Sequence, residues 1–581
     1  MPKTVVTPKP ALRRIAAGGA PPQIIQGGMG VGVSDWQLAR AVSRAGQFGV
    51  VSGTALDAVL ARRLQLGDPG GDVRRALAAF PVPELASAVI DRFYVEGGIG
   101  EHERFRTVPM LRADRGRPAE LLTVLGNFVE VWLAKEDYEA GAGQGDAADR
   151  RDGADRRDAA GPVGINYLGK VELGLAPAMF GAILAGVDCV LVGAGVPGHV
   201  PDLASRLARA EPVTVAVTVD GDEEPYAHRF DPRATLTVGD ADPVEEGGCG
   251  GGSGSGSGDC ACGRGEGGSG EGKRRVQDVT IDGLRTTAPP TRHATAGVTA
   301  SQAMAGLRRP DVLAIVSLPV LASYLARDEA TRPDGFVIET HGAGGHSAPP
   351  RGRLSLDPDG DPVYGPRDHP DLAKMAALGI PFWLAGGAAH PDRLAVARAA
   401  GAAGVQIGSA FALSEDSGLD PELRGELRER AHAGDLTVRN DPLASPTGFP
   451  FKVAKLPGTL ADPDVLAGRR RVCDLGYLRT PYRTSKGTIG YRCPAEPQAA
   501  YRRKGGDPSA TEGRLCLCNG LLATIGLAQR RPHGTIEPLI ATLGQDLTFL
   551  TPLSPNGAPY GAADVVRWLL PRQEPAPQPL G

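Results

Sequence analysis

The segment of this sequence best equipped for chemistry is Thr340-His341-Gly342-Ala343-Gly344-Gly345-His346, followed by Ser347-Ala348-Pro349-Pro350. Adjacent glycines such as Gly344 and Gly345 let backbone N–H groups approach a ligand closely. A histidine held among them exchanges protons near neutral pH, which makes His346 the candidate acid or base. A tight turn carrying a surface histidine is the alternative. The setting favours chemistry, because the loop ends the apolar run Phe336–Glu339 inside a repeated strand–helix pattern. Two glycine loops follow in the same setting. Gly386 and Gly387 end the run Pro381–Ala385, and Gln406, Gly408 and Ser409 end the run Val405–Gly408. In succession, such loops suit a phosphate held by backbone amides and a helix N-terminus. Near the start, Gln26-Gly27-Gly28-Met29-Gly30 offers a backbone able to pass under a flat ring. Asn166, in GINYLGK, offers an amide that both donates and accepts, a local Asx-turn being its other reading.

The elements that must position these loops alternate. Short apolar runs at 23–26, 48–52, 163–168, 189–193, 213–219, 312–317, 336–339, 381–385 and 405–408 are separated by helical patterns. The runs are continuously apolar, as parallel strands covered on both faces are. The expected fold is α/β, a (β/α)8 TIM barrel, with an open doubly wound sheet as the competitor. A barrel closes on eight strands, so either Val213–Val219 or Val312–Ser317 lies outside the ring. Helices are expected at Leu56–Leu66, within Val73–Phe93, over Ala119–Lys135 and late at Leu521–Gln529, with Ser34 capping the first.

Two low-complexity stretches, Glu139–Ala160 and the Gly/Ser-rich Glu245–Lys273, read as flexible insertions. The expected organisation is a barrel over 20–438, interrupted at about 139–160 and 220–310, and an appendage over 439–570 rich in Pro, Arg and Tyr. Cys249, Cys260 and Cys262 fall in the second insertion as incidental thiols. Cys473, Cys493, Cys516 and Cys518 fall in the appendage. Only one residue separates Cys516 from Cys518, a poor match to zinc-knuckle spacing, so reduced structural thiols and no metal are expected. Arg469, Arg470, Arg471, Arg479 and Arg483 form a charged face that either is simply solvated or meets an anionic substrate. With 63 basic against 67 acidic residues and 5% aromatics, the chain has no electrostatic or stacking platform for nucleic acid. No apolar run reaches membrane-spanning length, and no secretory h-region opens the sequence. A cytoplasmic protein is expected.

Taken in order, QGGMGVG, GINYLG, AGGH, AGG and QIGSAF resemble the nitronate monooxygenase family, formerly the 2-nitropropane dioxygenases, over roughly residues 20–60 and 160–415. Flavin-dependent enoyl-thioester reductases share most of these motifs. AGGHSAPPRG, YRCPAEP and CLCNGL look closest to a bacterial subgroup that includes the enoyl reductase component of polyunsaturated fatty acid synthases. The resemblance implies an FMN-binding barrel with His346 near the flavin N5. It places Gly386, Gly387, Gly408 and Ser409 at the phosphate, and Gln26–Gly30 with Asn166 at the isoalloxazine. It implies either alkyl nitronate oxidation with O2, or reduction of an acyl thioester by NAD(P)H, with a biosynthetic complex as partner. A barrel that binds a phosphorylated ligand without redox chemistry is the third reading. Many family members carry an acidic residue just before AGGH, where this chain has Gly342. His199, after GAGVPG, is a second candidate histidine.

Overall fold

The computed structural model describes residues 19–113, 116–136, 161–238 and 304–570, with a few isolated positions near the N-terminus and between 280 and 302. Both low-complexity stretches, with Cys249, Cys260 and Cys262, lie outside the described residues. Ten strands in chain order carry the first part of the fold. They are β1 (Ile24–Gln26), β2 (Gly49–Ser52), β3 (Val163–Leu168), β4 (Cys189–Gly193), β5 (Val213–Val217), β6 (Tyr226–Phe230), β7 (Asp311–Val316), β8 (Gly335–Glu339), β9 (Phe382–Ala385) and β10 (Gly404–Ile407).

Eight of them form one sheet in the order β1-β10-β9-β8-β7-β4-β3-β2. Every pairing within it is parallel. The ring closes where Gln26 N–H donates to Phe48 O at 2.9 Å and Phe48 N–H to Ile24 O at 3.1 Å. This is the (β/α)8 barrel. The strand outside it is β5, which pairs antiparallel with β6 as a hairpin in the β4–β7 excursion. Its residues Val213, Val215 and Val217 are buried while Thr214 and Ala216 are exposed, the alternation of a sheet wetted on one face. In β7 burial is nearly continuous, as a barrel strand requires.

Because side chains alternate along a strand, each barrel strand has an inner and an outer set. Ile25, Phe48, Val50, Leu191, Leu313, Val337 and Trp383 meet inside the barrel as one cluster. Val51, Ile165, Val190 and Val312 point outward into the helix layer. So do Ile24, Ile338 and Val405 on the other side.

The helices follow the sequence reading with three corrections. Helix α1 (Trp36–Arg44) is capped by Asp35, which accepts from Gln37 and Leu38 N–H, and not by Ser34. The run 73–93 splits into α2 (Asp72–Ala78) and α3 (Pro83–Phe93), because Pro81 and Pro83 each bar the residue before them from helical backbone. The late helix is Leu517–Ala523, a turn earlier than expected, and ends before Gly526, which takes φ +73°.

Residues 439–570 lie across the C-terminal ends of the barrel strands. Two antiparallel hairpins form there: β11 (Val438–Asp441) with β12 (Phe451–Ala454), and β13 (Thr480–Arg483) with β14 (Ile489–Arg492). Ala444, Val453, Leu460 and Ile540 make a small cluster of their own. Ala541, Leu543, Phe549 and Val565 instead join the cluster of Ile24, Phe336 and Val405, so this segment and the barrel share a core. The buried Leu543, Phe549 and Val565 side chains contribute roughly 1.5–3 kcal/mol each. Among the described residues no helix is long and apolar enough to cross a membrane.

Candidate functional site

A cavity of about 260 Å³ opens at the C-terminal ends of the barrel strands, beneath residues 439–570. Its floor follows from strand parity. Two residues beyond the inner core positions Val50, Leu191, Leu313, Val337 and Trp383 come Ser52, Gly193, Ile315, Glu339 and Ala385, and all of these line it. Asn166 and Gln406 sit at the same level of β3 and β10. The parity also removes one expected residue. Gln26 follows the inward-facing Ile25 and points out of the barrel. It is fully buried, donates to Gly27 O and Ser34 Oγ, and accepts from Val50 N–H, so it supports the loop and does not line the cavity. The remaining expected residues, Gly27, Gly28, Met29, Gly30, Asn166, Gly344, Gly345, His346, Gly386, Gly387, Gln406, Gly408 and Ser409, line the cavity together. His199 is exposed and lies outside it.

The loop after β1 is held low over the floor. Ser34 Oγ donates to Gly27 O at 3.0 Å and accepts from Met29 N–H at 3.1 Å, and Ser52 Oγ donates to Met29 O at 2.9 Å. A Cβ on Gly28 would fall 2.2 Å from the Asn166 Cβ, and one on Gly27 would fall 3.1 Å from the Gln406 Cγ. Gly28 therefore has no room for a side chain and Gly27 has little, so the backbone lies directly on these two amides. Among the described residues, Asn166 Oδ1 and Gln406 Oε1 are buried and find no hydrogen-bond partner. An orphaned buried acceptor costs about 1–3 kcal/mol, so two of them facing one cavity call for a ligand with donors to match.

The His346 loop is fastened from above. Lys452 N–H donates to Gly345 O at 2.9 Å, and Gly345 N–H donates to Thr542 Oγ1 at 3.0 Å. The His346 ring lies edge-on to Phe451 with centroids 4.8 Å apart, and its Nε2 is 2.7 Å from Ser445 Oγ. Burial pushes the imidazole pKa down to about 4, so it is uncharged near neutrality. Across the floor, burial pushes Glu339 up to about 7, an effect the Lys452 charge partly opposes. Lys452 is fully buried, is pushed down to about 8 by burial, and donates through Nζ to His341 O at 2.6 Å. Glu339 and His346 thus give the cavity two groups able to change protonation without extreme pH.

On the other side, Gly386 takes φ +95°, and a Cβ there would fall 2.3 Å from Thr340 Oγ1. This pins the β9 loop against the β8 loop. Ser409 Oγ accepts from Gly544 N–H at 2.7 Å, and Asp546 lines the cavity close by. Leu478, Leu517, Leu521 and Phe451 make an apolar roof.

The sequence reading missed Glu339, Ser445, Lys452 and Thr542. Glu339 carried a readable signal, an acid at the C-terminal end of a barrel strand. The other three act across long sequence separations, and nothing near them in sequence marks the contact. No group of three or more His, Cys, Asp or Glu side chains among the described residues is set to hold a metal ion as the chain stands.

The residues present are compatible with the ring of a flavin, the cofactor that the sequence resemblance implies. The pyrimidine edge of its ring presents one N–H donor between two carbonyl acceptors, and the Asn166 and Gln406 side chains each carry an unpaired oxygen acceptor together with an NH2 donor.

No family model matches the sequence, and no curated protein matches it. Solved structures with a similar course of the chain include FabK from Thermotoga maritima, at 14% identity, TM-score 0.39, and coverage of 96% of this chain and 93% of that one. A nitroalkane oxidase from Streptomyces ansochromogenes gives 16% identity, TM-score 0.38, and coverage of 95% of both chains. The enoyl reductase domain of MlnA from the macrolactin cluster of Bacillus amyloliquefaciens gives 11% identity, TM-score 0.31, and coverage of 78% and 69%.

Proposed function

We propose that this chain is an FMN-dependent oxidoreductase of the nitronate monooxygenase type, oxidising alkyl nitronates with O2. The observation that carries the reading is the pair of unpartnered buried amides, Asn166 and Gln406, under a glycine backbone at the C-terminal end of a parallel barrel. Asn166 and Gln406 would hold the pyrimidine edge, the Gly27–Gly28 backbone the ring, and the Gly386–Gly387 and Gly408–Ser409 amides the phosphate. When bound, FMN supplies the electron acceptor that the side chains of this cavity lack.

The protein's own part concerns charge and water. The roof of Phe451, Leu478, Leu517 and Leu521 excludes solvent from the reacting atoms. His346 is uncharged in the free cavity because burial disfavours the imidazolium. An anion beside it reverses that preference, so a nitronate would draw a proton onto His346 and be held by it. Nitronate binding is thus expected to take up about one proton near neutral pH.

The same apolar roof favours a second reading, reduction of an enoyl thioester by NAD(P)H, since it suits an acyl chain. Anaerobic mixing separates the two. Bleaching of the flavin by an alkyl nitronate, with no response to NADH or NADPH, supports the first. Rapid bleaching by either nucleotide, with no response to nitronate, supports the second.

A further inference from the structure

Apart from Cys189, every cysteine among the described residues borders one small cavity. Cys473, Cys493, Cys516 and Cys518 come from three separate segments and line a space of about 10 Å³ beside the roof of the main cavity. That space is the size of one small sphere and too small for a substrate. One of the sulfurs already accepts a hydrogen bond, from Asn519 Nδ2 to Cys516 Sγ at 3.6 Å. A donor aimed at sulfur stabilises a thiolate and recurs around thiolate-bound metals.

The charges around the cluster point the same way. Arg479 lines the space, and Arg471 lies in electrostatic range of Cys493 and Cys516. Their hydrogen bonds go to the carbonyls of Pro494, Thr511, Gly476 and Leu111, and neither forms an ion pair with a carboxylate among the described residues. The nearby acids are committed elsewhere, Asp474 to Arg531 and Glu496 to Lys504. Two guanidinium groups thus stand beside the four thiols with no carboxylate paired to either among the described residues, an arrangement that costs desolvation.

We propose that Cys473, Cys493, Cys516 and Cys518 form a structural zinc site. Binding of Zn²⁺ releases four thiol protons and leaves a centre of net charge −2, which Arg471 and Arg479 balance. As the side chains stand the four sulfurs line the space without converging on one point. Closing on an ion takes side-chain rotation at positions already on the cavity wall. Four protein ligands leave no open coordination position, so the site is a staple and not a second reaction centre. It ties together the segments that carry Tyr477, Leu478 and Leu517 in the roof of the main cavity.

The test is metal analysis of the full chain after gel filtration from zinc-supplemented cells. About one zinc per chain is expected, released by a mercurial thiol reagent and read with a chromogenic chelator. The zinc should persist in the triple variant Cys249→Ser, Cys260→Ser, Cys262→Ser, and fall well below stoichiometric in Cys493→Ser or Cys518→Ser. Should those two variants not fold, the mercurial release from the unaltered chain decides. The proposal is overturned by a chain without bound metal whose eight thiols all titrate freely after unfolding. It is equally overturned by zinc that leaves with Cys249, Cys260 and Cys262, or by iron with acid-labile sulfide in place of zinc.

Discussion

His346 Nε2 lies 2.7 Å from Ser445 Oγ, a hydroxyl 99 positions further along the chain. Ser445 is itself 2.8 Å from Thr447 Oγ1, so a short relay on the loop between β11 and β12 fixes the imidazole over the barrel. Ser445 is a positioning residue in this account. Ser445→Ala should leave the bound cofactor and KM nearly unchanged and lower kcat about tenfold, or about 1.4 kcal/mol. Ser445→Thr should restore most of the loss. An unchanged kcat and pH profile in Ser445→Ala would remove the relay from the mechanism.

The buried imidazole also makes a prediction about stability. Its pKa is about 4 in the folded chain, against an ordinary value of 6.5. Between those two values the unfolded chain binds more protons, so this group makes stability rise with pH across that window and fall on acidification. His346→Gln removes the effect. The variant should gain Tm relative to the parent as pH drops from about 6.5 towards 4, and show no such trend above about 7. A parent–variant difference that is flat across the window contradicts the assignment of the low pKa to His346.

Gly28 is where the backbone comes closest to the floor. Gly28→Ala puts a Cβ 2.2 Å from the Asn166 Cβ, which lies on a barrel strand and cannot yield far. The loop must lift instead. The expected result is flavin affinity weakened by at least about tenfold, with folding stability reduced by about 1–3 kcal/mol. Equilibrium titration of the apoprotein with FMN, alongside chemical denaturation, measures both. Undiminished affinity would mean that this loop does not carry the ring.

Tyr477 Oη donates to Asp57 Oδ1 at 2.7 Å, with the Asp57 side chain buried and its pKa pushed up to about 6 by desolvation. Tyr477→Phe leaves that carboxyl without its side-chain donor and should destabilise the fold by about 1–3 kcal/mol. A carboxyl raised by burial contributes stability at low pH that is lost as pH climbs through the folded value. The penalty in the variant should therefore be larger at about pH 8 than at about pH 5. Denaturant midpoints at the two pH values check this.

Much of this arrangement was legible because strand parity and glycine placement are local properties. The runs ending at Asn166, Gly386 and Gln406 could be placed at one end of a barrel from their order alone. Gln26 shows the limit. Its loop was placed correctly, but the side chain's direction depends on whether Ile25 or Gln26 faces inward, and both neighbours are buried. The choice between β5 and β7 was readable after all, since the Val–Thr–Val–Ala–Val alternation of 213–217 marks a strand wetted on one side. Ser445, Lys452 and Thr542 were not readable. They reach the His346 loop through hydrogen bonds spanning about a hundred residues or more, which no local periodicity encodes. That the four appendage thiols share one cavity was not readable either, because their spacing along the chain says little about where they meet.

The central claim is that Asn166, Gln406 and the glycine loops hold a flavin. The measurement that tests it most directly is the absorbance spectrum of the purified chain, followed by release and identification of the bound cofactor. The account predicts flavin bands in the visible, FMN in the supernatant, and loss of both in the double variant Asn166→Ala, Gln406→Ala. A colourless protein that also fails to take up added FMN would contradict it.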